Sequence, residues 1–124
     1  MKLLDTSIAI DHLRLVPRAV ELVEELIERE DLAASELVRY ELLAGARIDE
    51  LETIELLCGA LEWVPVNRRI AHVGGELARR FHASHSGIED VDYLIAATAL
   101  VLDVELLTTN VKHFPMFAGL EPAY

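Results

Sequence analysis

The sequence predicts an α/β fold in which a short, mostly parallel sheet is covered by helices. Three observations point there. Short apolar runs alternate with longer stretches whose apolar residues recur at helical spacing. Runs such as Leu32-Ala33-Ala34 are apolar at consecutive positions rather than at every second one, the pattern of strands buried on both faces. The 124 residues suit one domain, 1–124, and contain no repeat, low-complexity segment or linker.

The elements follow in order. Leu3-Leu4-Asp5 is a very short strand ending in a carboxylate, and Thr6 or Ser7 can cap a helix beginning near Ile8. Pro17 interrupts that helix. A second runs from about Arg18 to Glu30, with Val20, Val23, Leu26 and Ile27 on one face. After the strand Leu32-Ala33-Ala34, Ser35 caps a helix that Gly45 ends. Asp49 starts another, with Leu51, Ile54, Leu57 and Leu61 at helical spacing. Trp63-Val64-Pro65-Val66 reads as a strand that Pro65 assigns to an edge or bulge. Asn67 caps a long helix to about Phe81, and Gly87 marks a loop. Asp90 or a neighbour opens the helix from Val91 to Leu102. Val104 to Thr108 is the last strand, and the tail with Pro115, Gly119 and Pro122 is mostly irregular.

Hydrophobic residues make up 52% of the chain, enough for a core and contrary to disorder. The formal charge of −11 opposes broad, nonspecific nucleic-acid binding, which rests on basic surface. It leaves open an enzyme that meets phosphates through bound cations, because the ion reverses the local sign, and it leaves room for a basic protein partner. Cys58 is the only cysteine, which excludes an intramolecular disulfide and suits a reducing cytoplasm. Asp5 breaks the N-terminal apolar run too early for a signal peptide, and no apolar stretch is long enough to span a membrane.

Three carboxylates stand out. Asp5 lies at a strand end, where α/β folds bind ligands, but Asp is also common at helix starts. Glu41 has Leu37, Val38, Ala44 and Gly45 as its helical neighbours. A carboxylate on such a face is costly unless it binds a metal or pairs with a base such as Arg39 or Arg47. Asp92 lies in the first turn of a helix whose next residues, Leu94-Ile95-Ala96-Ala97, imply tight packing inside the protein. It can serve the helix dipole, as can Glu89 and Asp90, or point toward the strand ends. Three carboxylates converging there would repel one another unless a cation held them. Hard ions such as Mg²⁺ and Mn²⁺ favour oxygen ligands, and can activate water and stabilise charge on a phosphodiester.

These residues resemble the PIN-domain family, and within it the VapC-type toxins of bacterial toxin–antitoxin pairs. The match runs nearly the whole chain. It rests on Leu4-Asp5-Thr6-Ser7, on Ser35-Glu36-Leu37 with Tyr40-Glu41-Leu42-Leu43-Ala44-Gly45, on Asp92-Tyr93-Leu94-Ile95-Ala96-Ala97-Thr98-Ala99, and on Leu107-Thr108-Thr109-Asn110 with Lys112-His113-Phe114. The resemblance implies a three-layer α/β/α sandwich and a Mg²⁺- or Mn²⁺-dependent endoribonuclease acting on RNA through a metal-activated water. It also implies a homodimer, and a VapB-like antitoxin whose C-terminal segment covers the active groove. Asp5, Glu41 and Asp92 match the family's acidic positions: Asp5 and Asp92 as direct metal ligands, Glu41 directly or through water. Asn110 also matches, holding a metal-bound water or orienting Asp5. The departure is His113, where many relatives carry an acid. Asp90 is a substitute or points to solvent, and one firmly bound ion is expected rather than two.

Other features carry less. His82 and His85 form at most half a zinc site, and His12 and His72 have no partner pattern. His113 reads as a surface loop residue, with contact to RNA or a metal as the alternative. Arg68-Arg69 and Arg79-Arg80 share one helix, as a solvated face or as phosphate contacts. Leu51, Ile54, Leu57 and Leu61 read as core, with a partner surface as the alternative, and the helical pair over residues 8–30 as a dimer or antitoxin contact by family analogy. A response-regulator receiver fails for want of a phosphoacceptor Asp after the central strand. A haloacid-dehalogenase-like phosphatase fails because Ser7 stands where its second Asp belongs. The remaining alternative is a noncatalytic PIN-fold module binding RNA or protein, motivated by the acid missing at His113.

Overall fold

The structure, a computed structural model, describes residues 1–124. Its elements run β1 (Lys2–Leu4), α1 (Thr6–Leu13), α2 (Pro17–Glu28), β2 (Leu32–Ser35), α3 (Glu36–Ala44), a 3₁₀ turn (Ile48–Glu50), α4 (Leu51–Gly59), β3 (Glu62–Val64), α5 (Arg68–Phe81), α6 (Asp90–Leu102), β4 (Glu105–Leu107) and a 3₁₀ turn (Val111–His113). The four strands form one sheet in the order β3-β2-β1-β4, and every pairing is parallel. Successive strand residues point to opposite faces. Both Leu3 and Leu4 are buried, as are all of Leu32, Ala33, Ala34 and Ser35, so helices cover the sheet on both sides and the α/β/α sandwich expectation holds. Each Leu or Ile side chain fully buried in this way contributes roughly 1.5–3 kcal/mol.

Several local expectations hold. Ser35 Oγ accepts from the Leu37 amide and Asn67 Oδ1 from the Ile70 amide, capping α3 and α5. Pro17 sits at the start of α2, where its missing N–H costs nothing. β3 is an edge strand, but it covers Glu62–Val64 and leaves Pro65 and Val66, expected within it, outside. Ile54, Leu57 and Leu61 join the core, but Leu51, expected there too, is exposed.

Others change. α1 begins at Thr6, with Asp5 as the residue before it. The hydroxyls of Thr6 and Ser7 bond to carboxylates and do not cap the helix. Asp49 does not start a helix but is the middle residue of the 3₁₀ turn, and α4 follows only at Leu51. α5 and α6 pack closely because Gly74 has no side chain: a Cβ there would lie 2.8 Å from Leu94 Cδ2 and 3.7 Å from the Ala97 Cβ. That contact fixes the seat of α6, and with it Asp92.

Candidate active site

The sheet order creates a switch point at β1. The chain leaves β1 toward β2 and β3 on one side and returns to its other side as β4. In open parallel sheets such a point opens a crevice beyond the carboxyl ends of the strands. Leu4 pairs with Leu107, so the residues flanking the crevice are Asp5 and Thr108.

Asp5 is 4% exposed, and its Oδ2 accepts hydrogen bonds from Thr108 Oγ1 at 2.7 Å and Ser7 Oγ at 2.9 Å. Each hydroxyl is oriented in turn by a backbone amide: Asn110 N–H donates to Thr108 Oγ1 at 2.9 Å, and Thr109 N–H to Ser7 Oγ at 3.2 Å. With the amides filling their acceptor sides, both hydroxyls direct their protons at Asp5. Asn110 thus enters through its backbone. Its exposed side chain makes no hydrogen bond to Asp5, and the orienting role expected of it falls to Ser7 and Thr108.

Glu41 faces the same crevice from α3, its Oε1 accepting from Thr6 Oγ1 at 2.6 Å. Neither arginine that could have paired with it does so. Arg39 bonds to Glu36 at 3.0 Å and lies over the Trp63 ring, and Arg47 is 3.5 Å from Glu50. Burial raises the proton affinity of Glu41, and the charges of Asp5, Asp92 and Glu89 raise it further against the opposing bond from Thr6.

Asp92, in the first turn of α6, accepts at Oδ2 from the Glu89 amide at 3.0 Å and meets His113 Nδ1 there at 3.3 Å. Its proton affinity is raised chiefly by burial, with Asp5 and Glu89 adding, against the Glu89 amide and His113. His113, read from sequence as a loop residue, therefore touches the site. The further negative charge felt by both Glu41 and Asp92 comes from Glu89, while Asp90 is solvent-exposed.

A common geometry emerges. Asp5, Glu41 and Asp92 each have one oxygen engaged by protein donors, leaving Asp5 Oδ1, Glu41 Oε2 and Asp92 Oδ1 without one. The only buried side-chain polar atoms lacking a partner are His12 Nδ1 and Tyr93 Oη, so the free carboxylate oxygens remain accessible to water or an ion. Three mutually repelling, all-oxygen donors of this kind fit a hard divalent cation. They do not form a closed cage: no three His, Cys, Asp or Glu side chains are drawn together as a ready metal site. Like charges without a counter-ion stand apart, and Mg²⁺ in particular needs only one or two carboxylates beside its waters.

From Glu41 a cleft of about 210 Å³ runs between α1, α3 and α4, with Ile10, Leu13, Leu42 and Ile54 as its apolar lining and Arg14 among its polar residues. His85 Nδ1 lies 2.8 Å from Ser84 Oγ, and no third His, Cys, Asp or Glu is grouped with His82 and His85. No helix is long and apolar enough to cross a membrane.

The chain is similar to known proteins over its whole length. The PIN domain family matches residues 2–119. Ribonuclease VapC19 of Mycobacterium tuberculosis (strain ATCC 25618 / H37Rv) is 60% identical over 125 aligned positions covering 100% of both chains. Ribonuclease VapC10 of the same strain is 39% identical, covering 100% of this chain and 93% of that protein. Among solved structures, a toxin–antitoxin complex from Klebsiella pneumoniae superposes with a TM-score of 0.82 at 25% identity, covering 100% of this chain and 98% of its own. The chain belongs to the PIN domain family and, within it, to the VapC ribonucleases.

Proposed function

We propose that this protein is a divalent-metal-dependent endoribonuclease, the toxin of a toxin–antitoxin pair, that hydrolyses RNA phosphodiester bonds. The observation that carries the reading is the set of three carboxylates at the switch point, each fixed through one oxygen and open at the other. Asp5 and Asp92 hold the ion, and Glu41 joins directly or through water. A bound Mg²⁺ or Mn²⁺ supplies a Lewis acid that offsets the charge of the phosphodiester and makes water easier to deprotonate. Ser7 and Thr108 keep Asp5 Oδ1 facing the crevice. Where Glu41 joins through water, its Oε2, free of protein donors, is placed to accept a proton from the attacking water.

The Klebsiella pneumoniae neighbour is a toxin–antitoxin complex, which supports an antitoxin partner, of VapB type by the family resemblance. The apolar cleft leading away from Glu41 suits a segment of that partner covering the active groove. In this reading the protein works as a homodimer, as the family resemblance implies, and a cytoplasmic setting fits its one buried, unpaired Cys58. A noncatalytic binding module gives no use to hydroxyls aimed at a buried carboxylate.

The test is cleavage of total cellular RNA by the purified chain with Mg²⁺ or Mn²⁺, arrested by EDTA and restored by the metal. Asp5→Asn keeps the side-chain shape and loses the charge. It is expected to abolish cleavage, and a variant that cuts as fast as the parent would overturn the site.

A further inference from the structure

The charge on this chain is unevenly placed. Between Trp63 and Ile88 the only acidic residue is Glu76, in a chain with 22 Asp and Glu and 11 Lys and Arg. Four of those 11 basic residues, Arg68, Arg69, Arg79 and Arg80, lie on α5. At about 100° per residue, they share one side of the helix with His72 and Glu76, opposite the buried Ile70 and Leu77. All four arginines are exposed, and none is within ion-pair distance of a carboxylate; Glu76 is taken by His72 at 3.1 Å.

Folding accounts for only half of this row. Arg79 and Arg80 sit in the last turn, where they complement the helix dipole. Arg68 and Arg69 sit in the first turn, where no acid balances them and the dipole opposes them. Arg68 and Arg69 also line a shallow, open depression with Asn67 and His72. Two unpaired cations held against a helix dipole on an exposed surface are costly to the fold and suited to an anion.

We infer that the outer face of α5 is a docking ridge for the phosphate backbone of the RNA strand, separate from the acidic centre; this rests on the ribonuclease reading above. From Arg68 to Arg80 the ridge extends about 18 Å, long enough for several phosphates of one strand. Its Arg79 end is joined by residues 82–89 to the start of α6, where Asp92 stands, and α5 packs against that helix at Gly74. Elsewhere the chain is strongly acidic and repels RNA, which makes this face its main source of backbone attraction. Arginine suits the role because its planar guanidinium meets phosphate oxygens in pairs.

The experiment measures binding of a fluorescent, mixed-sequence 20-nucleotide single-stranded RNA across a salt series. It compares the full chain with Arg68→Gln/Arg69→Gln and Arg79→Gln/Arg80→Gln, together with cleavage kinetics and thermal melting. Each pair is expected to weaken binding on the order of 10-fold and to lower the slope of log affinity against log salt by about 0.7 per arginine. KM should rise with kcat held. Arg68→Gln/Arg69→Gln should melt no lower than the parent, because it removes charges opposed by the dipole. Unchanged affinity and salt slope in both pairs would overturn the ridge, as would unchanged RNA binding with an altered sedimentation coefficient, which would assign the face to a protein interface. A parent that cuts no RNA with either metal would instead overturn the ribonuclease reading, whatever the ridge variants bind.

Discussion

Thr108 and Asp5 stand 103 residues apart in the chain, yet the Thr108 hydroxyl donates to Asp5 Oδ2 at 2.7 Å. The parallel pairing of β1 with β4 brings them together, and the Asn110 amide fixes the direction of the hydroxyl. Thr108→Val keeps the shape and removes the donor. It also leaves the Asn110 amide without its acceptor. Stability should fall by about 1–3 kcal/mol. Metal-dependent cleavage should fall about 10–100-fold, as when partners that orient metal ligands are lost. Melting and cleavage assays check both, and a variant that loses stability alone would show that Asp5 does not need the hydroxyl.

Glu41 yields a prediction of opposite sign for stability. Burial and the charges of Asp5, Asp92 and Glu89 raise its proton affinity, and Asp92 is raised as well. The folded chain therefore binds these protons more tightly than the unfolded chain. The contribution to stability is present below the ordinary carboxylate pKa of about 4 and is lost as pH rises through the raised values. Without metal, Glu41→Gln should melt about 1–4 °C above the parent at neutral pH, and the difference should vanish in acid. Mg²⁺ or Mn²⁺ should stabilise the parent more than the variant, and cleavage by the variant should be lost. A variant that melts lower than the parent in metal-free buffer would contradict the repulsion.

How much of this could be read from residues alone follows from the range of each signal. Asp5 at the end of an apolar run, Glu41 on an apolar helical face and Asp92 ahead of a small-residue helix are local contrasts, visible within a turn or a strand. The partners of those carboxylates are not local. Thr6 reaches Glu41 across 35 residues, and Ser7 and Thr108 meet only through strand register, so they read as helix caps and as a strand end. His113 follows the same logic: nothing in Lys112-His113-Phe114 tells that the 3₁₀ turn over residues 111–113 places it on Asp92. Glu89 looked interchangeable with Asp90 as a helix-start acid. The fold separates them by giving the Glu89 amide to Asp92 and leaving Asp90 in solvent.

His113 bears on how many ions the site holds. Its Nδ1 lies 3.3 Å from Asp92 Oδ2, so this side chain stands beside Asp92 without adding a carboxylate to the site. The parent is expected to bind one Mn²⁺ per chain, counted by electron paramagnetic resonance of the free ion. His113→Asp should bind a second, and should melt lower than the parent in EDTA because it adds a charge beside Asp92. A stoichiometry of two in the parent would show that His113 does not limit the site.

The two neighbouring glycines of α5 separate helix propensity from packing, and connect the core to the site. Nothing lies within 4 Å of a Cβ built on Gly75, whereas one on Gly74 would meet Leu94 Cδ2 at 2.8 Å. Gly75→Ala should stabilise by about 0.5–1 kcal/mol, the helix preference of alanine alone. Gly74→Val should destabilise by about 1–3 kcal/mol through overpacking. Its effect on cleavage should be larger than its effect on stability suggests, because Leu94 and Ala97 lie on the helix that carries Asp92. A displacement near 1 Å there can cost on the order of 100-fold in rate. Gly74→Ala should fall between, since the end of the Leu94 side chain can rotate away. If Gly74→Val cuts RNA at the parental rate at a temperature where it is folded, the seat of α6 does not set the position of Asp92.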